Sequence, residues 1–253
     1  MSRQRADLAL VARGLFESRA KARAAIEAGL VRADGRLVAK ASDVLSETAH
    51  IEAEPAFAWV GRGGLKLDHA LNLWPVEVAG RTVLDVGAST GGFTEVCLTR
   101  GAQRVYAVDV GRGQLHARLL ADPRVISLEA TDARVLDATV IADPIGLIVC
   151  DVSFIGLAKA LPAALALARD GADLVALVKP QFEVGPDKIG KGGLVRVAAD
   201  REAAVAGVVA FLQVQGWELR GQAESDVRGG EGAVEHVIWA SKRAARGESG
   251  GPS

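Results

Sequence analysis

Residues 82–93 have the sequence TVLDVGASTGGF, in which an apolar run passes directly into a loop of small residues. The run 82–86 has the length and composition of a buried strand. A small-residue loop between a strand and the helix that follows it lets a ligand approach the backbone at the helix N-terminus. We therefore predict that this segment forms the first strand, loop and helix of an α/β sheet.

The same alternation continues towards the C-terminus. Further strand-like runs lie at 104–110, 125–130, 146–152 and 174–178, and helix-like segments lie at 92–100, 113–120, 155–168 and 200–215. Continuous apolar strands alternating with helices predict a doubly wound, mainly parallel sheet covered on both faces. The last two runs, 218–223 and 235–240, have no helix between them and predict an antiparallel edge hairpin. The sheet then has seven strands.

A smaller α+β part is predicted at the N-terminus. Leu8, Val11 and Leu15 recur at helical spacing, and Ser18 is a candidate N-cap for a second helix that Gly29 ends. The Asp34-Gly35 pair between two apolar runs predicts a tight hairpin.

Pro55 and the glycine cluster that begins at Gly61 indicate a domain boundary. We predict domains at 1–55 and 61–246, a linker at 56–60 and a disordered tail at 247–253.

Composition argues for a folded protein whose charge is unevenly distributed. Of the 253 residues, 49% are hydrophobic, and the chain contains 30 basic and 31 acidic residues. Residues 1–40 contain nine Lys or Arg and four acids, a net charge of +5, so the remainder carries −6. Four acids and no base follow at 41–55, which reduces the net charge of the first domain to +1. This distribution predicts a basic face for nucleic acid on the first part of that domain.

Other functional classes lack their sequence signals. The two cysteines, Cys97 and Cys150, lie far apart in apolar segments, which favours buried reduced thiols over a disulfide or a zinc site. The histidines are scattered, and no apolar run resembles a signal peptide or approaches the roughly 20 residues of a membrane helix. We expect a cytoplasmic protein without a metal site or membrane association.

The loop after the first strand differs from the common phosphate-binding motifs. It matches neither G-x-G-x-x-G nor G-x-x-x-x-G-K-[ST], and Asp85 precedes its first glycine. A carboxylate there disfavours a pyrophosphate and suits a cation, which favours S-adenosylmethionine with its sulfonium and amino groups. Asp109, at the end of the second strand, is placed to accept ribose hydroxyls, and Asp132 to reach an adenine amino group. A nicotinamide cofactor remains an alternative on these residues alone.

Two further polar residues end buried strands. Asp151 ends the fourth strand and Lys179 the fifth, and in a doubly wound sheet both lie beside the cofactor. They are candidates for catalysis, although an Asp–Lys ion pair with a purely structural role is equally consistent with this pattern.

Several motifs together resemble one family. They are the loop from Asp85 to Thr94, GRGGLK at 61–66, DVSFI at 151–155, KPQFEVG at 179–185 and VEH at 234–236. The chain resembles FtsJ-type ribose 2′-O-methyltransferases over residues 3–242, and more closely the TlyA (haemolysin A-like) rRNA cytidine 2′-O-methyltransferases.

The resemblance implies a Rossmann-like class I methyltransferase sheet preceded by a small RNA-binding domain of ribosomal-protein type. It also implies a catalytic tetrad of Lys66, Asp151, Lys179 and Glu235, with Lys179 assisting loss of the 2′-hydroxyl proton as a neutral base or as an oxyanion stabiliser. The predicted cofactor-binding residues are Asp85, Gly87, Ala88, Ser89, Thr90, Gly91, Gly92, Phe93, Asp109 and Asp132.

The partner implied is ribosomal RNA or a ribosomal subunit, bound by a monomeric protein. Arg19 and Arg23 lie one helical turn apart and share a face that can follow a phosphate backbone. Lys188 and Lys191 lie in a glycine-rich loop that can cover the site. The full set of predicted RNA-binding residues is Arg3, Arg5, Arg19, Lys21, Arg23, Arg62, Lys188 and Lys191.

Two alternative functions remain at this stage. One is a non-catalytic RNA-binding protein of the same fold, and the other is a nicotinamide-dependent oxidoreductase. The haemolysin activity that the family label suggests has no export signal, membrane span or strongly amphipathic basic helix to support it.

Overall fold

The computed structural model describes residues 3–244. Their contacts divide them into two compact units, one up to Ala58 and one from Trp59. This division falls within the segment 56–60 for which we predict a linker. The predicted tail at 247–253 and the last two residues of the predicted second domain lie outside the described residues.

The first unit contains two helices and five short strands among the described residues. These elements are β1 (Arg3–Arg5), α1 (Ala6–Ala12), α2 (Arg19–Glu27), β2 (Val31–Ala33), β3 (Arg36–Leu37), β4 (Val44–Ser46) and β5 (Ile51–Ala53). Strands β3, β2 and β5 form one antiparallel sheet, and β1 pairs with β4. Two sequence predictions are confirmed: Ser18 caps α2 through the amide of Lys21, and Asp34-Gly35 turns β2 into β3 with positive φ at both residues.

The buried face of α1 differs from the predicted one. Leu15 follows the end of the helix and is 43% exposed, whereas Ala6, Asp7, Ala9 and Leu10 are buried. Ala6, Ala9 and Leu10 belong to the same apolar cluster as Ala22, Ala25 and Ile26 of α2. Val11 packs against this cluster only partly buried, so the Leu8-Val11-Leu15 stripe is not the most buried face of the helix.

The second unit is built on a seven-stranded sheet in the order β11-β12-β10-β9-β6-β7-β8. Its strands are β6 (Thr82–Val86), β7 (Arg104–Val108), β8 (Val125–Leu128), β9 (Ile145–Cys150), β10 (Ala168–Val178), β11 (Trp217–Glu224) and β12 (His236–Lys242). Strands β6 to β10 pair in parallel, and β12 is antiparallel to both of its neighbours. The predicted fold class is confirmed. The last strand, however, lies between β10 and β11, so β11 is the edge.

Helices cover both faces of this sheet. They are α3 (Gly63–Leu73), α4 (Gly92–Thr99), α5 (Ala117–Leu120), α6 (Leu157–Ala160), α7 (Pro162–Leu167), α8 (Pro180–Glu183) and α9 (Ala198–Val214). Leu84 and Val86 of β6 point into one core with α6, α7 and α9, while Val83 points into the other with α3 and α4. Cys150 and Cys97 are both buried, and they lie in these opposite cores.

One predicted helix is much shorter than expected. Of the segment 113–120, only Ala117–Leu120 is helical. The carboxylate of Glu129 accepts hydrogen bonds from the amides of Gly113, Gln114 and Leu115 at 2.9, 2.6 and 3.0 Å. These bonds hold the segment in an extended turn and keep the pKa of Glu129 below its usual value.

Candidate active site

The loop between β6 and α4 is built around left-handed backbone conformations. Gly87, Ser89 and Gly91 have φ values of +87°, +47° and +95°. A Cβ on Gly87 would lie 2.7 Å from the carbonyl oxygen of Asp151, and one on Gly91 would lie 2.1 Å from the side chain of Leu119. Only glycine fits at these two positions without displacing a neighbour, and at Gly87 that neighbour is the backbone of a predicted catalytic residue.

A first cavity of about 800 Å³ opens at the carboxyl ends of the parallel strands. Gly87, Ser89, Asp109 and Asp132 from the predicted cofactor set line it, together with Gln114. The two carboxylate oxygens of Asp109 accept hydrogen bonds from the amides of Ser89 and Gly111, at 2.8 and 2.7 Å. Asp109 thus joins the loop after β6 to the loop after β7.

Asp132 is in the cavity wall, but its carboxylate already has a partner. It accepts a hydrogen bond from the amide of Arg134 at 2.9 Å and pairs with the guanidinium of the same residue at 2.5 Å. These contacts lower the pKa of Asp132 to about 2. The predicted contact of Asp132 with an adenine amino group stays a prediction.

Asp85 is fully buried and lies behind the cavity wall rather than in it. One of its oxygens accepts a hydrogen bond from the Thr94 hydroxyl at 2.6 Å, and the other has no partner among the described residues. Burial raises the pKa of Asp85 to about 7. The structure therefore does not place Asp85 where it can touch a ligand in the first cavity directly.

The rest of the predicted loop residues border a smaller third cavity of about 290 Å³. Ala88, Thr90, Gly92 and Phe93 line it next to Asp151 and Lys179. Gly91 lies behind them against Leu119. Gly87, Ser89 and Asp151 line the first cavity as well, so the loop and one catalytic candidate lie at the boundary of the two cavities.

The four residues of the predicted tetrad come together in two ion pairs. Lys66 of α3 lies 2.5 Å from Glu235, just before β12, and Lys179, after β10, lies 2.6 Å from Asp151, after β9. The Lys179 ammonium also donates a hydrogen bond to the Ser153 hydroxyl at 2.9 Å. Lys66, Lys179 and Glu235 are buried, and all four side chains line a second cavity of about 530 Å³.

Two aromatic residues form a wall shared by the first and second cavities. The ring of Phe154 is 91% exposed and lies 5.2 Å from the ring of Phe182. Phe154 has a φ of +66°, a conformation that is a genuine outlier for a bulky side chain. Neither residue has a role predicted from the sequence, because a lone Phe after a strand carries no signal of exposure.

Three of the five predicted RNA-binding residues of the first unit converge on one carboxylate. Arg5, Arg19 and Arg23 lie 3.0, 2.8 and 3.2 Å from the carboxylate of Asp7, which is inaccessible to solvent. Hydrogen bonds from Arg5 and Arg19 hold the pKa of Asp7 well below its usual range. Each arginine remains nearly half exposed, so the three guanidinium groups form a positioned basic cluster.

The other predicted RNA-binding residues occupy varied environments. Lys21 pairs with Glu17 at 2.6 Å, and Lys188 pairs with Asp200 at 2.8 Å. Arg62 is exposed at the mouth of the second and third cavities. Arg3 and Lys191 are exposed, the latter in a short 3-10 turn whose glycines border the second cavity.

Comparisons with known proteins agree with this architecture. A family model of FtsJ-like methyltransferases matches residues 59–242, and one of S4 domains matches residues 4–51. The chain is 46% identical to the 16S/23S rRNA (cytidine-2′-O)-methyltransferase TlyA of Mycobacterium tuberculosis, over 94% of this chain and 89% of that protein. It is 35% identical to Hemolysin A of Brachyspira hyodysenteriae, over 88% of this chain and 94% of that protein.

Solved structures show the same fold. A "putative hemolysin" of Streptococcus thermophilus superposes with a TM-score of 0.77 at 37% identity, covering 97% of this chain and 90% of that one. An S-adenosylmethionine dependent methyltransferase of Mesorhizobium loti shares the fold alone, with a TM-score of 0.51 at 13% identity over 70% of this chain and 98% of that one. No helix within residues 3–244 is long and apolar enough to cross a membrane.

Proposed function

The chain belongs to the FtsJ-like methyltransferases and, among them, to the group of TlyA, and we propose that it methylates ribose 2′-hydroxyls of cytidines in ribosomal RNA with S-adenosylmethionine. The relative of 46% identity has this specificity in its name. Membership of a methyltransferase family disfavours the nicotinamide-dependent alternative. One observation carries the proposal: two Lys–carboxylate pairs, each with a buried lysine, share a cavity that adjoins the glycine loop.

The first cavity and its loop fit the proposed cofactor. Each carboxylate oxygen of Asp109 accepts a hydrogen bond from one backbone amide. Because a carboxylate oxygen can accept more than one hydrogen bond, Asp109 can also accept hydrogen bonds from two ribose hydroxyls. The unpartnered oxygen of Asp85 lies close to the loop, and a cationic ligand bound there would favour the ionised form of this buried carboxyl. When bound, S-adenosylmethionine supplies an electrophilic methyl group.

The tetrad fits the needs of a ribose hydroxyl. This group is a poor nucleophile and must lose its proton as it attacks. Lys179 is held by Asp151 and Ser153 at the junction of the second and third cavities, where it can assist that loss as a base or by stabilising the oxyanion. Glu235 holds Lys66 in the same cavity, where the lysine can meet a phosphate or complete the ionic network.

The aromatic wall suits a nucleoside that has left its helix. An exposed aromatic ring is a surface on which an unstacked base can lie, and enzymes that act on one nucleotide commonly extrude it. Phe154, supported by Phe182, provides such a surface at the boundary of the two larger cavities. We therefore assign the second cavity to the target nucleoside.

The first unit supports RNA binding away from the reaction. It matches the S4 domain, and the arginine cluster around Asp7 presents three guanidinium edges to solvent. Guanidinium groups bind phosphates through paired hydrogen bonds. We propose that this cluster contacts the RNA backbone.

Replacement of the central lysine tests the catalytic assignment. We expect Lys179→Ala to abolish transfer of labelled methyl groups to ribosomal subunits, while calorimetry shows that S-adenosylmethionine still binds. Arg220→Ala, which removes an exposed cation on the edge strand β11, is the matched control and should retain activity. Full turnover by Lys179→Ala would contradict the assignment, and a wild-type protein that methylates no ribosomal RNA would contradict the proposed function.

A further inference from the structure

The loop between β11 and β12 brings one acidic residue to the catalytic cavity that the mechanism does not use. Gly229, Gly230, Glu231 and Ala233 line the second cavity together with Glu235. Glu231 is exposed and has a φ of +52°. A glutamate in this conformation is strained, and strain of this kind at a cavity is typical of residues held in place for a function.

Within residues 3–244, Glu231 differs from the other carboxylates of the cavity in having no cationic partner. Asp151 and Glu235 each pair with a buried lysine. The side chain of Glu231 makes no ion pair or hydrogen bond with any residue in 3–244. An unpaired carboxylate repels the polyanionic backbone of RNA and so weakens its binding. A hydrogen-bond donor on the substrate would offset this repulsion.

The chemistry of the bases identifies that donor. A base against the aromatic wall presents its polar edge to the other walls of the cavity, and Glu231 places a carboxylate in one of those walls. Cytosine carries an exocyclic amine at C4, from which Glu and Asp accept hydrogen bonds, whereas uracil carries a carbonyl oxygen there. We propose that Glu231 accepts a hydrogen bond from this amine and thereby selects cytidine over uridine.

This inference rests on the proposed function and makes Glu231 a specificity-determining residue rather than a member of the tetrad. Its role can be separated from catalysis, because a carboxylate that recognises the base changes the ratio of kcat/KM for two substrates. Glu231→Gln keeps the size of the side chain, and its amide can accept from cytosine or donate to uracil. The substitution therefore removes the discrimination without removing the side chain.

The experiment compares two substrates across three proteins. Methylated positions are first mapped on ribosomal subunits lacking 2′-O-methylation, and subunits with the target cytidine replaced by uridine are then prepared. The kcat/KM ratio of cytidine to uridine is measured for the wild type, Glu231→Gln and Glu77→Gln. Glu77 is likewise an exposed glutamate, in the segment before β6 at the end of the sheet opposite the cavities, so it controls for the loss of one charge.

We expect the wild type and Glu77→Gln to prefer cytidine, and the preference to fall by about 5- to 150-fold in Glu231→Gln, the range expected for one base-reading contact. An unchanged ratio in Glu231→Gln, or equal use of cytidine and uridine by the wild type, would overturn the inference alone. A wild type that methylates neither substrate would overturn the proposed function and this inference together.

Discussion

Gly87 lies where the cofactor loop and the catalytic candidates touch, and its replacement by alanine tests this arrangement. The residue has a φ of +87°, and a Cβ there would lie 2.7 Å from the carbonyl oxygen and 3.0 Å from the carbonyl carbon of Asp151. Backbone atoms move less readily than the end of a flexible side chain. The alanine methyl must therefore displace the strand end that carries Asp151.

The expected loss of stability has two parts. A left-handed conformation costs an L-residue about 1–2 kcal/mol relative to glycine. Forcing a methyl group into occupied space adds about 1–3 kcal/mol. Gly80 provides the matched control, since its φ is +72° but no atom lies within 4 Å of the position that a Cβ would take there. We therefore expect Gly87→Ala to lose about 2–5 kcal/mol of unfolding free energy and Gly80→Ala only the conformational cost of about 1–2 kcal/mol.

Tryptophan fluorescence during urea unfolding measures this difference cleanly. All four tryptophans, Trp59, Trp74, Trp217 and Trp239, belong to the second unit, so the signal reports the unfolding of that unit. Gly87→Ala should also lose methyl transfer, because Asp151 moves, while Gly80→Ala retains it. Equal losses of stability in the two variants, or full activity of Gly87→Ala, would refute the close approach of the loop to Asp151.

Three further predictions concern charged and aromatic groups. The pKa of Asp7 lies below that of an unfolded Asp, about 3.9, so its ion pairs with arginine stabilise the first unit above that pH and this stabilisation is lost in acid. Asp7→Asn should increase hydrogen exchange in residues 3–58 at pH 7 and remove this pH dependence. The pKa of Asp85 is raised to about 7, so its contribution to stability is full below pH about 4 and is lost as the pH rises through 7. Asp85→Asn should therefore make the urea midpoint less dependent on pH between pH 5 and 8. An unchanged pH dependence would contradict the argument from burial. Phe154→Ala should raise KM for RNA by about 5- to 150-fold, the worth of one stacked base, while Phe154→Trp retains binding; equal KM values would exclude stacking on this ring.

Much of the second unit follows from local sequence patterns. The strand 82–86 has the predicted bounds, because a continuous apolar run followed by glycines specifies both a buried strand and its end. The edge pairing of β11 with β12 was predictable for the same reason, although their order in the sheet was not. Asp151 and Lys179 were predicted from their positions at strand ends, which left the pair open to a structural interpretation, whereas Lys66 and Glu235 were implied only by the family resemblance.

Other features depend on residues distant in sequence. The extended turn before α5 exists because Glu129 takes three backbone amides, which no periodicity within 113–120 reveals. The buried face of α1 is set by alanines that pack against α2 and by Asp7, which gathers arginines from two elements. Hydrophobic spacing favoured the larger side chains instead.

The sequence by itself determined the order of strands and helices along the chain, the glycine loop, and the positions of Asp151 and Lys179 at the carboxyl ends of strands. These depend on backbone preferences and apolar runs that act over a few residues. Only the tertiary structure decided which charges form ion pairs, that Asp85 lies behind the wall of the first cavity, and that Phe154 and Glu231 are exposed where they line the second cavity. Burial and charge pairing depend on neighbours brought together from distant parts of the chain. These neighbours determine whether a polar side chain supports the structure or is available to contact substrate.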